Sequence, residues 1–358
     1  MRYQLSDVDR RNIERFAADH TRCSLKSIAL PRGSIRALSN FSINFKYPLS
    51  AISGRNGSGK STVLALAACA FHGAYNGWRL PARTLPYYRF SDFFFQAHGE
   101  VPVDGVKVRY GIHYDKWKPA ESVPDGKGVG HQERWKNKGG KWNDYASRVV
   151  RPVAYFGIDR VVPPSEKGTI VNQRRYFVSP NKKSLVEDSA RDSVSRVLGS
   201  KYDDLELRGF GSYKLPLVSK KDSKYSGFNM GAGEQALFAL FLAIHGAPRA
   251  SLFVIDELEL GLHEEAQRQL IHELKQVALD AAHQFIFTTH SPTILGALPP
   301  EGRFFIDGTS TGTHVIEGVS PGFAAGRLSG QSSEEVCIYL EDSSAQVLLS
   351  SFLDIDDR

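Results

Sequence analysis

Residues 54–61 read Gly54-Arg55-Asn56-Gly57-Ser58-Gly59-Lys60-Ser61, a full match to G-x-x-x-x-G-K-[ST]. By ordinary residue frequencies, a chance match in a chain of this length has odds of roughly 1%. The flanks fit the motif. Tyr47-Pro48-Leu49-Ser50-Ala51-Ile52-Ser53 reads as a short buried strand, and Ser61-Thr62-Val63-Leu64-Ala65-Leu66-Ala67-Ala68 as a helix that stops near Gly73. Strand, glycine loop and helix are what a phosphate cradle needs. The glycines turn backbone N–H groups inward, and the helix start adds partial positive charge. In such a loop residues 54–62 surround phosphates, Lys60 reaches the β/γ-phosphates, and Ser61 holds Mg²⁺.

A second segment, Ser251-Leu252-Phe253-Val254-Ile255-Asp256-Glu257, places two acids after an unbroken apolar run. That pattern describes a buried parallel strand with carboxylates at its C-terminal end, where parallel α/β sheets bind ligands. Asp256 is placed to hold the metal through its water shell. Glu257 is placed to polarise an attacking water. A third strand, Gln284-Phe285-Ile286-Phe287-Thr288-Thr289, ends in His290-Ser291-Pro292, with His290 placed to report a γ-phosphate. A fourth segment, Met230-Gly231-Ala232-Gly233-Glu234-Gln235, opens an apolar helix. Its small residues offer N–H groups to an anion. They are redundant beside one chain's own glycine loop, and make sense against the nucleotide of a second copy.

In this order, the four segments resemble an ABC-type ATPase head of the SMC/RecF/OLD class. More narrowly, the chain resembles ATPase subunits of bacterial anti-phage systems such as Septu, PARIS and the OLD nucleases. The likeness covers roughly residues 24–300, with Glu259-Leu260-Gly261-Leu262-His263 as D-loop and Thr289-His290-Ser291-Pro292 as switch. It implies ATP and Mg²⁺ as cofactors, and a head-to-tail homodimer or higher even-numbered oligomer. Each ATP would lie between one P-loop and the partner's signature, here Gly231, Ala232, Gly233 and Glu234. The usual signature serine is Gly231, which implies slow hydrolysis. The resemblance also implies a metal-contacting glutamine, for which Gln96 is the candidate. The function implied is an ATP-hydrolysing switch subunit of a defence complex that regulates an effector nuclease. A DNA-repair or chromosome-type head that clamps DNA directly is the alternative.

The expected fold is α/β: a P-loop ATPase head with a parallel core sheet, an antiparallel β lobe and a helical lobe. Residues 1–300 form the ATPase domain, with the β lobe at about 97–180 and the helical lobe at about 181–229. Residues 101–114 alternate as antiparallel strands do, and 184–198 carry apolar residues at helical spacing. Residues 301–358 form a C-terminal extension. There Val336-Cys337-Ile338-Tyr339-Leu340-Glu341-Asp342 resembles the opening strand of a Toprim domain, read as the start of a truncated Toprim-like domain or with Glu341 as a remnant.

Charge and composition narrow the partners. Of the 358 residues, 41% are hydrophobic and 23% charged, which excludes a disordered chain. The longest apolar run, 236–244, is half what a membrane span needs. Three scattered cysteines fit a reducing cytoplasm and no zinc site. The net charge of +6 permits nucleic-acid contact. Residues 107–148 concentrate Lys107, Arg109, Lys116, Lys118, Lys127, Arg134, Lys136, Lys138 and Lys141 around Trp117, Trp135 and Trp142. The patch reads as a DNA or RNA contact, or as a solvated hairpin whose tryptophans pack inward, or as a docking face for a protein.

Overall fold

The computed structural model describes residues 3–19, 21–74, 77–81, 83–100, 103–137, 140–143, 148–162, 166, 172, 174–179, 184–211, 213–309, 312–329, 342, 344, 345, 348 and 349. Helix α1 (Asp7–Ala18) starts with a capping box: Ser6 Oγ accepts from Asp9 N at 3.1 Å, and Asp9 Oδ2 accepts from Ser6 N at 3.0 Å. Strands β1 (Ser24–Ile35), β2 (Leu38–Asn44) and β3 (Leu49–Gly54) lead into helix α2 (Lys60–Ala68). Strands β4 (Val106–Tyr114), β5 (Gly128–Lys136) and β6 (Val153–Phe156) follow. Helix α3 (Leu185–Leu198), capped by Ser184 and ended by left-handed Gly199, leads to strands β7 (Asp204–Phe210), β8 (Tyr213–Lys220) and β9 (Ser223–Ser226). The remainder is α4 (Ala232–Gly246), β10 (Leu252–Ile255), α5 (Glu264–Ala281), β11 (Gln284–Thr288), α6 (Pro292–Gly296), β12 (Arg303–Thr309), β13 (Gly312–Glu317) and α7 (Pro321–Ser329).

The central sheet has the order β13-β12-β3-β11-β10-β6 and is parallel except for the edge strand β13. Both faces are buried, which explains the unbroken apolar runs. Side chains alternate between two cores. Leu252, Val254 and Ile286 join one core with α2 residues Val63 and Leu64 and with Ile28, Ile43 and Val108. Phe253, Ile255, Phe285 and Phe287 join the other with Leu237 and Phe241 of α4 and Leu270 and Leu274 of α5. Helix α2 is thus sandwiched between the parallel sheet and a four-stranded antiparallel sheet, order β2-β1-β4-β5.

Three expected boundaries shift. The β lobe is not confined to residues 97–180: two of its strands, β1 and β2, precede the P-loop. Strand β6, inside that span, belongs to the parallel sheet through β10. The stretch expected as a helical lobe holds one helix, α3, followed by the antiparallel meander β7-β8-β9. Residues beyond 300 begin inside the central sheet, because β12 pairs in parallel with β3, the strand that feeds the P-loop. The Toprim-like stretch, with Glu341, lies outside the described residues apart from Asp342.

Candidate nucleotide site

The sheet order sets β3, β11 and β10 side by side, so their C-terminal ends meet at one edge. The P-loop follows β3, the Thr289–His290 turn follows β11, and Asp256 and Glu257 follow β10. Ile255 pairs with Phe287 and Thr288 with Ile52, which puts the three motifs level with one another.

Within the loop, Gly59 has φ +99°, and a Cβ there would meet Leu38 Cδ2 at 2.4 Å. Strand β2 therefore closes on the cradle where only glycine fits. The Ser58 hydroxyl is buried and has no hydrogen-bond partner among the described residues. An orphaned hydroxyl inside a glycine loop matches the donor set that a phosphate chain requires. Lys60 is 8% exposed and its Nζ donates to the loop's own Gly54 O at 2.7 Å and Arg55 O at 2.9 Å. Burial lowers its pKa, opposed by the charges of Asp256, Glu257 and Glu259. Arg55, Asn56 and Gly57 are exposed at the tip, and Arg55 Nε donates to Arg327 O of α7 at 3.1 Å. Thr62 is buried beneath the loop.

Ser61 Oγ donates to Asp256 Oδ2 at 3.0 Å. Thr288 Oγ1 donates to Asp256 Oδ1 at 2.5 Å and accepts from Glu257 N at 2.7 Å. Hydroxyl, carboxylate and hydroxyl thus run in one chain from the P-loop helix to the acid pair. Hydroxyl and carboxylate oxygens at this place are the hard donors that Mg²⁺ takes. Glu257 has φ +48°, in the left-handed region. Its backbone is held at both ends, since Arg160 Nη2 donates to Glu257 O and Arg160 Nη1 to Asp256 O, each at 2.5 Å.

On the switch side, His290 N donates to Glu259 Oε1 at 2.6 Å. Ser291 Oγ donates to Gln267 Oε1 at 2.5 Å, and Gln267 Nε2 donates to Leu262 O at 2.8 Å. His290 is half-buried. Gln96 lies exposed in the loop after the one-turn helix Phe90–Asp92.

At the start of α4, Gly231 is the exposed N-cap with open space around its Cα. Ala232 is half-exposed and Gly233 is buried. A Cβ on Gly233 would meet Gly261 O at 2.0 Å, so the signature-like turn and the D-loop touch backbone to backbone. Glu234 Oε1 accepts from Tyr202 Oη at 2.6 Å and Tyr225 Oη at 2.8 Å, which ties this turn to the meander.

Sequence reasoning missed Arg160, Thr288 as bridge, and the two tyrosines. A Thr ending an apolar run beside an acid-ended strand is a usable signal. Arg160, in Gly157-Ile158-Asp159-Arg160, belongs to no motif.

The basic patch is partly spent within the lobe. Lys107 and Arg109 pair with Glu133 at 2.5 and 2.9 Å, and Lys136 with Asp104 at 3.2 Å. Arg134 is buried with Nη2 on Gln132 Oε1 at 2.7 Å. Trp142 stacks on Phe90, centroids 3.9 Å apart, and Trp117 packs edge-on to Tyr114. Trp135 is the exposed one, at 45%. Lys138 lies outside the described residues.

Two family models match. One, described as "AAA domain", covers residues 33–110. The other, described as "AAA domain, putative AbiEii toxin, Type IV TA system", covers 165–296. No curated protein matches the chain. Among solved structures, an Smc head bound to the C-terminal winged-helix domain of ScpA matches with TM-score 0.50 and 15% identity, covering 82% of this chain and 97% of that one. An Smc head with an extended coiled coil from Pyrococcus furiosus, bound to the C-terminal domain of ScpA, matches with TM-score 0.51 and 14% identity, covering 82% and 96%. The fold is that of an SMC-head P-loop ATPase. Among the described residues, no helix of the head is long and apolar enough to cross a membrane.

Proposed function

We propose that the chain is a Mg²⁺-dependent ATP-hydrolysing switch that closes as an ATP-sandwiched dimer and regulates an effector nuclease in an anti-phage defence complex. The observation that carries the reading is the hydrogen-bonded chain Ser61–Asp256–Thr288–Glu257, assembled from three strand ends.

Loop N–H groups of residues 54–62 bind the phosphates, and Lys60 exchanges its two carbonyl partners for phosphate oxygens. Ser61 and Asp256 hold the metal, with Gln96 as the third candidate ligand. Mg²⁺ supplies neutralisation of charge on the phosphates. Glu257, its backbone fixed by Arg160 and Thr288, accepts the proton of the attacking water. His290, positioned through its N–H on Glu259, faces the γ-phosphate. Gly231, Ala232, Gly233 and Glu234 present the start of α4 to the partner's nucleotide. Gly231 brings no hydroxyl, so turnover is slow.

The description of the model over 165–296 as a putative AbiEii toxin of a type IV toxin–antitoxin system supports the defence reading. The internally paired Lys107, Arg109 and Lys136 favour a switch over a head that clamps DNA through this patch.

Phosphate release from ATP tests the reading. The parent hydrolyses ATP with Mg²⁺, Lys60→Ala loses nucleotide binding, and Glu257→Gln binds ATP but turns over about 10²–10⁴-fold more slowly. Equal turnover in parent and Glu257→Gln removes Glu257 from the role. A parent that binds no ATP ends the proposal.

A further inference from the structure

At the opposite edge of the central sheet, below the starts of β10 and β11, a small cleft of about 40 Å³ lies between α1, the start of β1 and the end of α5. Arg15, Arg22 and Arg151 line it, together with His283 and Gln284. Lys26 adjoins it, feeling the charge of Arg151. Asp19 is the one carboxylate in the lining, reached by Arg22 at 3.3 Å and by Arg15 at 3.9 Å. In the lining, three arginines therefore stand beside one carboxylate.

Their other partners are uncharged. Arg151, fully buried, donates to Ala250 O at 2.7 Å and Gln284 Oε1 at 2.8 Å. Arg15 donates to Leu279 O and Lys26 to Phe16 O. Carbonyls at the end of α5 account for Arg15, and for Arg249 on the flank, whose Nη2 donates to Asp280 O at 2.5 Å. They do not account for Arg22, whose Nη1 is buried without an acceptor among the described residues. Burial and mutual repulsion also lower the pKa values of these groups. Burial, with Arg151 beside it, lowers Lys26 to about 8. Burial lowers Arg151 to about 10. Burial followed by Arg15 lowers Arg22, against the pull of Asp19. Such a cluster gains from a multivalent anion, because unpaired buried charge costs several kcal/mol.

We propose that this cleft binds a small oxyanion of the phosphate class, hydrogen-bonded by the Arg22 guanidinium and attracted by Arg15, Arg151 and Lys26. The site is separate from the nucleotide site and does not rest on the reading of that site. An anion here favours the ammonium form of Lys26, so binding near pH 8 takes up protons.

Titration calorimetry with inorganic phosphate tests the proposal, in Lys60→Ala protein so that the P-loop is silenced. One saturable site per chain is expected, chloride at equal ionic strength does not replace it, and Arg22→Gln weakens it by at least about tenfold. Arg22→Lys keeps the charge but not the fork, and is weakened too; it is the variant to read if Arg22→Gln fails to fold. Paired buffers of different ionisation enthalpy show proton uptake at pH 8. AMP binding as tightly as phosphate shows that the site admits a phosphomonoester end, and phosphate binding alone shows a free oxyanion; both support the site. Absence of saturable phosphate binding, or equal affinity in parent and folded Arg22 variants, overturns it.

Discussion

Ser61 Oγ lies 3.0 Å from Asp256 Oδ2, although 195 residues separate them. The contact joins the first turn of α2 to the end of β10, and it exists because β11 lies between β3 and β10 in the sheet. On the proposed function, this hydroxyl and carboxylate are the pair that holds a hydrated Mg²⁺.

Asp256→Asn keeps an acceptor for one of the two hydroxyls of Ser61 and Thr288, turns an NH2 to the other, and removes the charge. ATP affinity in Mg²⁺ should fall by about 10–100-fold, while affinity in EDTA changes little. A fluorescent ATP analogue titrated with and without Mg²⁺ measures both. Equal losses in the two conditions show that Asp256 acts on folding rather than on the metal.

The β-lobe tryptophans separate packing from binding. Trp142 stacks on Phe90, so Trp142→Ala should cost about 2 kcal/mol of stability. Trp135→Ala, at an exposed position, should cost little. Urea unfolding reads both. For nucleic-acid contact, anisotropy with labelled single strands should show no loss in Trp142→Ala. A loss there with stability unchanged would restore that ring as a base platform.

How much was legible follows from how local each signal is. The P-loop, the acid-ended β10 and the His290 turn are contiguous strings whose geometry is set within a few residues, and each lies where its pattern put it. The apolar runs 252–255 and 284–288 were readable because both faces of those strands are buried. The lobes were less readable because their pairing is non-local. Ile28 pairs with Tyr110, and nothing near Ile28 names a partner beyond the P-loop. The meander went unread because Glu206, Arg208 and Lys224 decorate a half-buried sheet, leaving weak alternation. Gly233, read as facing a partner's nucleotide, also packs against the Gly261 backbone of its own chain, a contact that no string near it announces.

His283 makes stability pH-dependent. Burial, helped by Arg151, lowers its pKa from 6.5 to about 4, and its Nδ1 accepts from Ser251 N at 3.2 Å. Between pH 6.5 and 4 the unfolded chain binds a proton that the folded chain refuses, so stability falls as pH falls through that window. The slope from this group is at most about 1.4 kcal/mol per pH unit. His283→Gln should flatten the fall in the urea midpoint between pH 6.5 and 4.5. Parallel curves for parent and variant contradict the assignment.

Dimer closure on ATP is the central claim, and light scattering of Glu257→Gln protein with Mg²⁺-ATP tests it most directly. Slowed turnover should trap a species of twice the chain mass, lost on removing ATP or on adding Lys60→Ala. Gly231→Arg is the variant to set beside it, because Gly231 is exposed with open space around it, whereas Gly233→Arg would strike the Gly261 backbone. It should bind ATP with parental affinity and stay monomeric. A Gly231→Arg protein that still doubles its mass with ATP, or a Glu257→Gln protein that binds ATP and remains a monomer, contradicts the account.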